Sequence, residues 1–340
     1  MNPYINDILS QPAVLRDALD NYSTSLLEKI RLSDFDRIII SGMGSSYNAA
    51  YPALIRLSMQ ATPVQLVNAA ELLHSLSGMI GTRSLLWLNS QSGRSAEPMQ
   101  LLDRIKTKRP SCILSFVNDI SSPMAERADV CIPIYAGEEA TVSTKTYTNM
   151  LAINLLAAIQ LGGGHVDAAI REMRIAADAM EAYLANWETH VWELDSMLGD
   201  FEQLYFIGRG SSMSTVWNGS LNNKEAAKCS FEGIHAAEFR HGPLEVVAEG
   251  FAAIIFAGSI QTSGLNRALA KDILSHNGKV IWVDSTSDSE ISTHLLPITS
   301  ELTIPLIEIL LMQMLTLAMA QRKGIEAGKF RHISKVTARE

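Results

Sequence analysis

The apolar residues of this chain fall into short runs, set apart by glycine- and serine-rich turns and by longer stretches of helical period. Ile5 to Ile30 predicts one or two amphipathic helices, with Leu9, Leu15, Leu19, Leu26 and Leu27 on the apolar side. Arg37 to Ile40 is an apolar run that ends in S-G-M-G-S-S-Y-N, the pattern of a strand, a glycine turn and a helix start. The same grammar returns with strands at Val64 to Val67, Ser84 to Leu88 and Cys112 to Val117, and with helices at Ala96 to Ile105 and Thr144 to Leu161. Strands alternating with helices predict a parallel, doubly wound sheet.

Gly162 to Gly164 interrupts the pattern, and a polar-faced helical segment from Asp167 to Leu198 follows. The opening then repeats. Leu204 to Ile207 predicts a strand, and G-R-G-S-S at Gly208 to Ser212 echoes G-M-G-S-S at Gly42 to Ser46, an offset of 166 residues (208 − 42) that points to two copies of one α/β unit. Strands near Ala252 to Phe256 and Lys279 to Val283 and a helix from Thr303 to Ala320 complete the second copy. The apolar segment Ile304 to Ala320 is interrupted by Glu308 and Gln313 and is short for a membrane span, so a buried core helix is expected. The fold class is therefore α/β, two tandem domains, each a doubly wound parallel sheet flanked by helices in three αβα layers. The boundaries expected are a helical segment at 1–30, the first domain at 31–165, a connecting helical segment at 166–198, the second domain at 199–325 and a tail at 326–340.

With 340 residues, 47% of them hydrophobic, the chain is long enough for two cores. A net charge of −8 argues against a nucleic-acid surface, so any anionic ligand must be held locally. Cys112, Cys131 and Cys229 are odd in number, far apart and without metal-ligand spacing, as expected of reduced thiols in a cytoplasmic protein. The N-terminus lacks the basic region and long apolar core of a signal peptide, and no membrane partner is expected. The eight histidines form no H-x-x-x-H or H-E-x-x-H pattern, and no metal or other cofactor is expected.

Gly42, Gly44, Ser45 and Ser46 lie where a strand gives way to a helix; Ser90, Gln91, Ser92, Gly93 and Ser95 form a second such turn. In an open parallel sheet the carboxyl ends of the strands form the ligand crevice, and backbone N–H groups there attract anions. Serines at helix starts are also simple N-caps, but two hydroxyl-rich turns together favour a phosphate. The absence of G-x-x-x-x-G-K-[ST] and of a full G-x-G-x-x-G disfavours a nucleotide. A second concentration of polar chemistry runs from Trp217 to Pro243, with two lysines, three glutamates and two histidines. Met213 to Lys228 has helical propensity, weakest at Gly219, and Glu225 follows Leu221 by one turn, where partial desolvation would suit a general base. His241 stands in R-H-G-P, an irregular turn able to present an imidazole. A solvated helix face followed by a structural turn is the alternative reading of this segment.

S-G-M-G-S-S-Y-N at Ser41 to Asn48, S-Q-S-G-R-S-A-E at Ser90 to Glu97, V-S-T-K at Val142 to Lys145, G-R-G at Gly208 to Gly210, K-E at Lys224 and Glu225, and E-F-R-H-G-P-L at Glu238 to Leu244 resemble the signatures of double SIS-domain (sugar isomerase) proteins. The resemblance to the isomerase half of the glucosamine-6-phosphate synthases covers essentially the whole chain. It implies phosphate binding by Ser46, Ser90, Gln91, Ser92 and Ser95, with Ser45 adjacent, and a sugar pocket that includes Gly44, Ser143 and Lys224. It also implies Glu225 as the base that moves a proton between sugar carbons and His241 as the assistant in ring opening, entering from the neighbouring subunit of a homodimer with shared active sites. Lys335, in the tail motif H-I-S-K-V-T, is implied to reach the sugar's carbonyl end, which makes the tail part of the active site. The resemblance alone supports that reading, since a lone tail lysine is ordinarily solvated.

Two departures bear on activity. The sequence begins where the isomerase half begins, so a chain without a glutaminase is expected, unable to release ammonia from glutamine. Asn222 stands where the synthases carry a lysine, one turn before the base, which counts against synthase chemistry. Stand-alone double-SIS relatives include fructosamine-6-phosphate deglycases, ketose-aldose isomerases and amino-sugar phosphate deaminases. The expected activity is deglycation of a sugar 6-phosphate amine adduct, with isomerase or deaminase chemistry on the same site, or a non-catalytic sugar-phosphate sensor, as the alternatives. Arg94, where the synthases have a glutamate, either assists phosphate binding or pairs with Glu97.

Overall fold

The computed structural model describes residues 2–332, 334 and 335; Ile333 and residues 336–340 of the expected tail lie outside the described residues. The chain divides into two compact units, each with its own sheet. The first takes Ser10–Arg174 and Phe330–Glu340; the second takes Met1–Leu9 and Ile175–Lys329.

In the first unit, β1 (Arg37–Gly42), β2 (Val64–Asn68), β3 (Ser84–Asn89), β4 (Cys112–Val117) and β5 (Val130–Pro133) form a parallel sheet in the order β2-β1-β3-β4-β5. β1 reads R-I-I-I-S-G and is buried after its first residue, because helices cover both faces of a parallel sheet. β3 and β4 are buried throughout. Trp87 of β3 stacks on Phe116 of β4 at 4.6 Å and satisfies its indole N–H by donating to Asn154 Oδ1 at 2.6 Å. Asn154 belongs to the helix Lys145–Leu161, of which nearly every residue is buried. β5 was not foreseen: at four residues it is an edge strand too short to carry an alternation pattern.

The second unit repeats the circuit. β6 (Gln203–Gly208), β7 (Glu232–His235), β8 (Phe251–Phe256), β9 (Lys279–Asp284) and β10 (Thr293–Leu295) are parallel and lie in the order β7-β6-β8-β9-β10. β1 begins at 37 and β6 at 203, the same offset of 166 (203 − 37) that the glycine turns show. The internal repeat is thus a repeat of topology. β7 and β10, also edge strands, are four and three residues long and leave little trace in the sequence.

The helix Ile304–Arg322 is, by length and composition, apolar enough to cross a membrane, with a mean hydropathy of 1.6, but 89% of that window is buried inside the protein. The segment is therefore longer than expected, and it is a core helix. It packs on the helix Ser212–Asn222 at Gly219, where a Cβ would stand 2.3 Å from Met312 Cε and 3.0 Å from Met312 Cβ. The residue that weakens this helix by propensity is the one that lets the two helices approach. Gly219→Ala would gain about 1 kcal/mol of helix propensity yet lose about 1–3 kcal/mol to overpacking. A net loss of stability in chemical denaturation is expected, and a stabilised variant would contradict the packing account.

Candidate functional site

The first unit's strand order reverses between β1 and β3, so the chain leaves adjacent strands on opposite courses and opens a crevice at their carboxyl ends. The two hydroxyl-rich turns emerge there. Ser41 of β1 pairs with Leu88 of β3, and Asn89 Nδ2 donates to the Ser41 carbonyl at 3.3 Å, so the turns begin side by side. A Cβ on Gly42 would stand 3.1 Å from the Asn89 carbonyl oxygen and from Tyr47 N, so any larger residue would push this backbone apart by a few tenths of an ångström. Gly44 starts the helix Gly44–Ala49 with a positive φ of 50°, and Ser45 and Ser46 follow in its first turn, both half-buried.

The second turn is a wound loop. Gly93 N donates to the Ser90 carbonyl at 3.2 Å and to Ser90 Oγ at 3.1 Å, Ser90 Oγ lies 3.2 Å from Ser95 Oγ, and Arg94 N donates to Ser92 Oγ at 3.2 Å. The Gln91 carbonyl accepts from Asn118 N at 2.9 Å, which anchors the loop to the end of β4. Gly93 has a φ of 61°, and a Cβ there would lie 2.0 Å from Ser122 Oγ. Ser90 is buried, and Gln91, Ser92 and Ser95 are half-buried. Arg94 is exposed and pairs with Asp119 at 2.9 Å, which settles one of its two expected partners: Asp119, not Glu97, takes the guanidinium. Ser121 and Arg94 together hold the Asp119 carboxyl below its ordinary value.

Lys335 is not the solvated tail lysine that its position in the sequence alone would give. Its Nζ donates to Glu139 Oε2 at 2.5 Å and to the Thr141 carbonyl at 2.5 Å. Glu139, whose side chain is fully buried, also accepts from Thr144 N at 2.8 Å, Thr146 N at 3.0 Å, Thr144 Oγ1 at 3.0 Å and Thr146 Oγ1 at 2.6 Å. The Thr146 hydroxyl lies 2.7 Å from Ser143 Oγ. One carboxylate thus caps the helix Lys145–Leu161 and ties Ser143 to Lys335. Sequence reasoning missed Glu139, although a carboxylate five residues before the helix start at Thr144 was a signal for a cap.

In the second unit, the helix Ser212–Asn222 passes into a single π turn at Asn223–Ala227, which carries Lys224 and Glu225. π turns recur at functional sites because the extra residue re-aims a side chain. Lys228, left-handed at φ 57°, ends the turn, and Cys229 N closes it on the Asn223 carbonyl at 3.0 Å. The Lys228 ammonium donates to the Glu225 carbonyl and, at 2.7 Å, to the Lys329 carbonyl, which fixes the backbone that bears Glu225. Glu225 is half-buried; Lys224 is exposed and donates to Ser220 Oγ at 3.1 Å; Asn222 is fully buried. His241 is exposed, its N–H bonded to the Glu238 carbonyl at 2.9 Å, just before Gly242 at φ 136° and the 3-10 turn Pro243–Val246. The expected irregular turn is present. His235, also in this segment, meets Trp217 edge-on at 5.2 Å, and burial pushes its imidazole below the usual value, opposed by Glu238 and reinforced by Arg209.

The SIS domain model matches residues 31–160 and 197–321, three quarters of the chain. This chain belongs to the SIS family. Among its relatives are the glutamine–fructose-6-phosphate aminotransferases (isomerizing) of Chlamydia caviae, 27% identical over 97% of this chain and 57% of that protein, and of Pyrococcus horikoshii, 28% identical over 97% and 56%. The chain spans a little over half the length of these curated relatives. By fold, this SIS protein is similar to the C-terminal domain of glucosamine-fructose-6-phosphate aminotransferase from Francisella tularensis, with a TM-score of 0.80, 20% identity and coverage of 97% and 98% of the two chains. It is also similar to the tagatose-6-phosphate ketose/aldose isomerase of Escherichia coli (TM-score 0.80, 17% identity, 95% and 94% covered) and to the glucosamine-6-phosphate deaminase of Thermotoga maritima (TM-score 0.78, 19% identity, 98% and 99% covered).

Glu139→Ala leaves the Thr144 and Thr146 N–H groups without their acceptor and the Lys335 ammonium with the Thr141 carbonyl alone. A loss of about 2–4 kcal/mol of stability is expected, since buried donors lose their partner. Tryptic cleavage after Lys335 should also accelerate; unchanged cleavage and stability would contradict the role given to Glu139.

Proposed function

We propose that this SIS protein is a cytoplasmic sugar-6-phosphate enzyme, a deglycase that splits a fructosamine 6-phosphate into a sugar 6-phosphate and a free amine. The observation that carries the reading is the meeting of two hydroxyl-rich turns at the β1/β3 switch point, in a unit that also holds Lys335 in place. Neutral hydroxyl and N–H donors of Ser45, Ser46, Ser90, Gln91, Ser92 and Ser95 take the phosphate, with Gly44 allowing close backbone approach. Such a site needs no basic cluster, in keeping with the net charge of −8.

Glu225 then removes the proton from C1 of the open ketosamine, and the electrons pass to the C2 carbonyl to give an enaminol. Reprotonation at C2 gives an imine at C1, and water adds and expels the amine, leaving an aldose 6-phosphate. His241, from the partner subunit of a homodimer, protonates the ring oxygen during opening, and the Lys335 ammonium stabilises the charge that develops at the carbonyl end. Ser143 and Lys224 complete the sugar pocket. Asn222, a buried amide where the synthases carry lysine, supports a reaction other than amino transfer.

Isomerisation or deamination of a sugar 6-phosphate is the second reading, favoured by the fold shared with the tagatose-6-phosphate isomerase and the glucosamine-6-phosphate deaminase. A sensor of sugar phosphate would have no use for a base on a π turn.

A coupled assay for glucose 6-phosphate release from fructose-lysine 6-phosphate and other adducts tests the deglycase. Glu225→Gln should lower kcat by about a hundredfold or more while fructose 6-phosphate still protects the protein against heat. Protection without release from any adduct would transfer the assignment to an isomerase, a deaminase or a sensor. Glu225→Ala and His241→Ala proteins, each inactive alone, should regain activity when their subunits are exchanged; no recovery after proven exchange would refute a shared site.

A further inference from the structure

The second unit repeats the circuit of the first but furnishes its strand ends with the opposite chemistry. At the carboxyl ends of β8, β9 and β10 lies a cleft of about 100 Å³, lined among others by Gly258, Asp284, Ser285, Thr299, Ile307 and Glu308. One water needs about 10–15 Å³ of such space, so the cleft admits a group of several heavy atoms. Glu308 is a carboxyl in the second turn of the buried helix Ile304–Arg322 and is 4% exposed. Its Oε1 accepts from Ser212 Oγ at 2.7 Å, and Ser212 itself is fully buried at the start of the helix Ser212–Asn222 that follows β6. Its Oε2 is buried and makes no hydrogen bond among the described residues, because the neighbouring Thr215 hydroxyl, though it pulls on the carboxyl, donates to the Pro305 carbonyl at 3.4 Å. A buried polar atom without a partner costs about 1–3 kcal/mol, which a bound donor would recover.

Asp284, at the end of β9, is the other charged residue lining the cleft; its carboxylate accepts from Ser285 N at 2.7 Å and from Trp282 Nε1 at 3.3 Å. The nearby cation Arg209 donates to Asn266 Oδ1 at 2.8 Å and is not among the lining residues. With the Asp284 carboxylate and no base in its lining, and with an anion bound to oppose any ionisation of Glu308, the cleft disfavours an anion. Nor do the two acidic groups suffice for a metal, since no group of three or more His, Cys, Asp or Glu side chains is placed to hold one among the described residues.

We propose that this cleft binds a small primary ammonium ion, whose N–H groups are shared between Glu308 Oε2 and Asp284. It stands independently of the reaction assigned to the first unit's turns. Burial pushes the Glu308 carboxyl up to about 8, against the opposing pull of the Ser212 and Thr215 hydroxyls, so near neutrality it is mostly protonated. An arriving ammonium favours the ionised form, and the carboxyl proton leaves to solvent.

Ethanolamine and ethylene glycol, alike but for the charged nitrogen, make the test, with sodium phosphate at matched ionic strength as a third arm. Ethanolamine alone should raise the Tm of the full chain. Titration calorimetry at pH 7 in buffers of different ionisation enthalpy should show release of about one proton per site. Glu308→Gln should abolish the proton release and weaken binding at least about tenfold, and Asp284→Asn should weaken it about tenfold with the release retained. If Glu308→Gln does not fold, Asp284→Asn and the proton count decide. No ethanolamine binding up to about 50 mM, equal protection by ethylene glycol or phosphate, or undiminished binding by Asp284→Asn would overturn the proposal.

Discussion

The first unit depends on how closely two strand ends approach each other. β1 and β3 are neighbours in register although β2 lies between them in sequence, and the turns that leave them share a space in which a single added Cβ is already tight. Gly42 lies against the Asn89 carbonyl where the two turns meet, and Gly93 lies against Ser122, beyond β4, where the second turn is seated. Once the backbones are that close, two serine-rich turns from separate segments begin side by side. The parallel sheet supplies the order, the glycines supply the approach, and the phosphate reading rests on both.

Much of this was legible in the sequence. Central strands such as R-I-I-I-S-G and S-L-L-W-L-N are continuous apolar runs because both faces are covered, and the repeat of G-x-G-S-S at a fixed offset reported a repeat of topology. What escaped notice is short or non-local. β5, β7 and β10 have four, four and three residues and lie at sheet edges, where a few residues carry no readable period. Glu139 holds Lys335 across 196 positions of sequence, a pairing that no local pattern encodes. The π turn that carries Glu225 reads as ordinary helix, since one extra residue per turn depends on the closing contacts of Lys228 and Cys229 rather than on propensity.

The two copies of the unit show how one circuit is put to different uses. In the first, the strand ends carry serines, a glutamine and a tail lysine held by a buried carboxylate. In the second, the helix after β6 runs on into the π turn, and the strand ends face Glu308 and Asp284. Topology places a crevice in both, and the side chains decide its chemistry.

The central claim is that Glu225 transfers a proton between adjacent sugar carbons, and solvent isotope incorporation tests it most directly. Turnover of a fructosamine 6-phosphate in deuterium oxide, followed by NMR, should place deuterium at C2 of the released aldose 6-phosphate, and Glu225→Gln should lose both turnover and label. Product without label, formed as fast by Glu225→Gln as by the unaltered protein, would contradict the account.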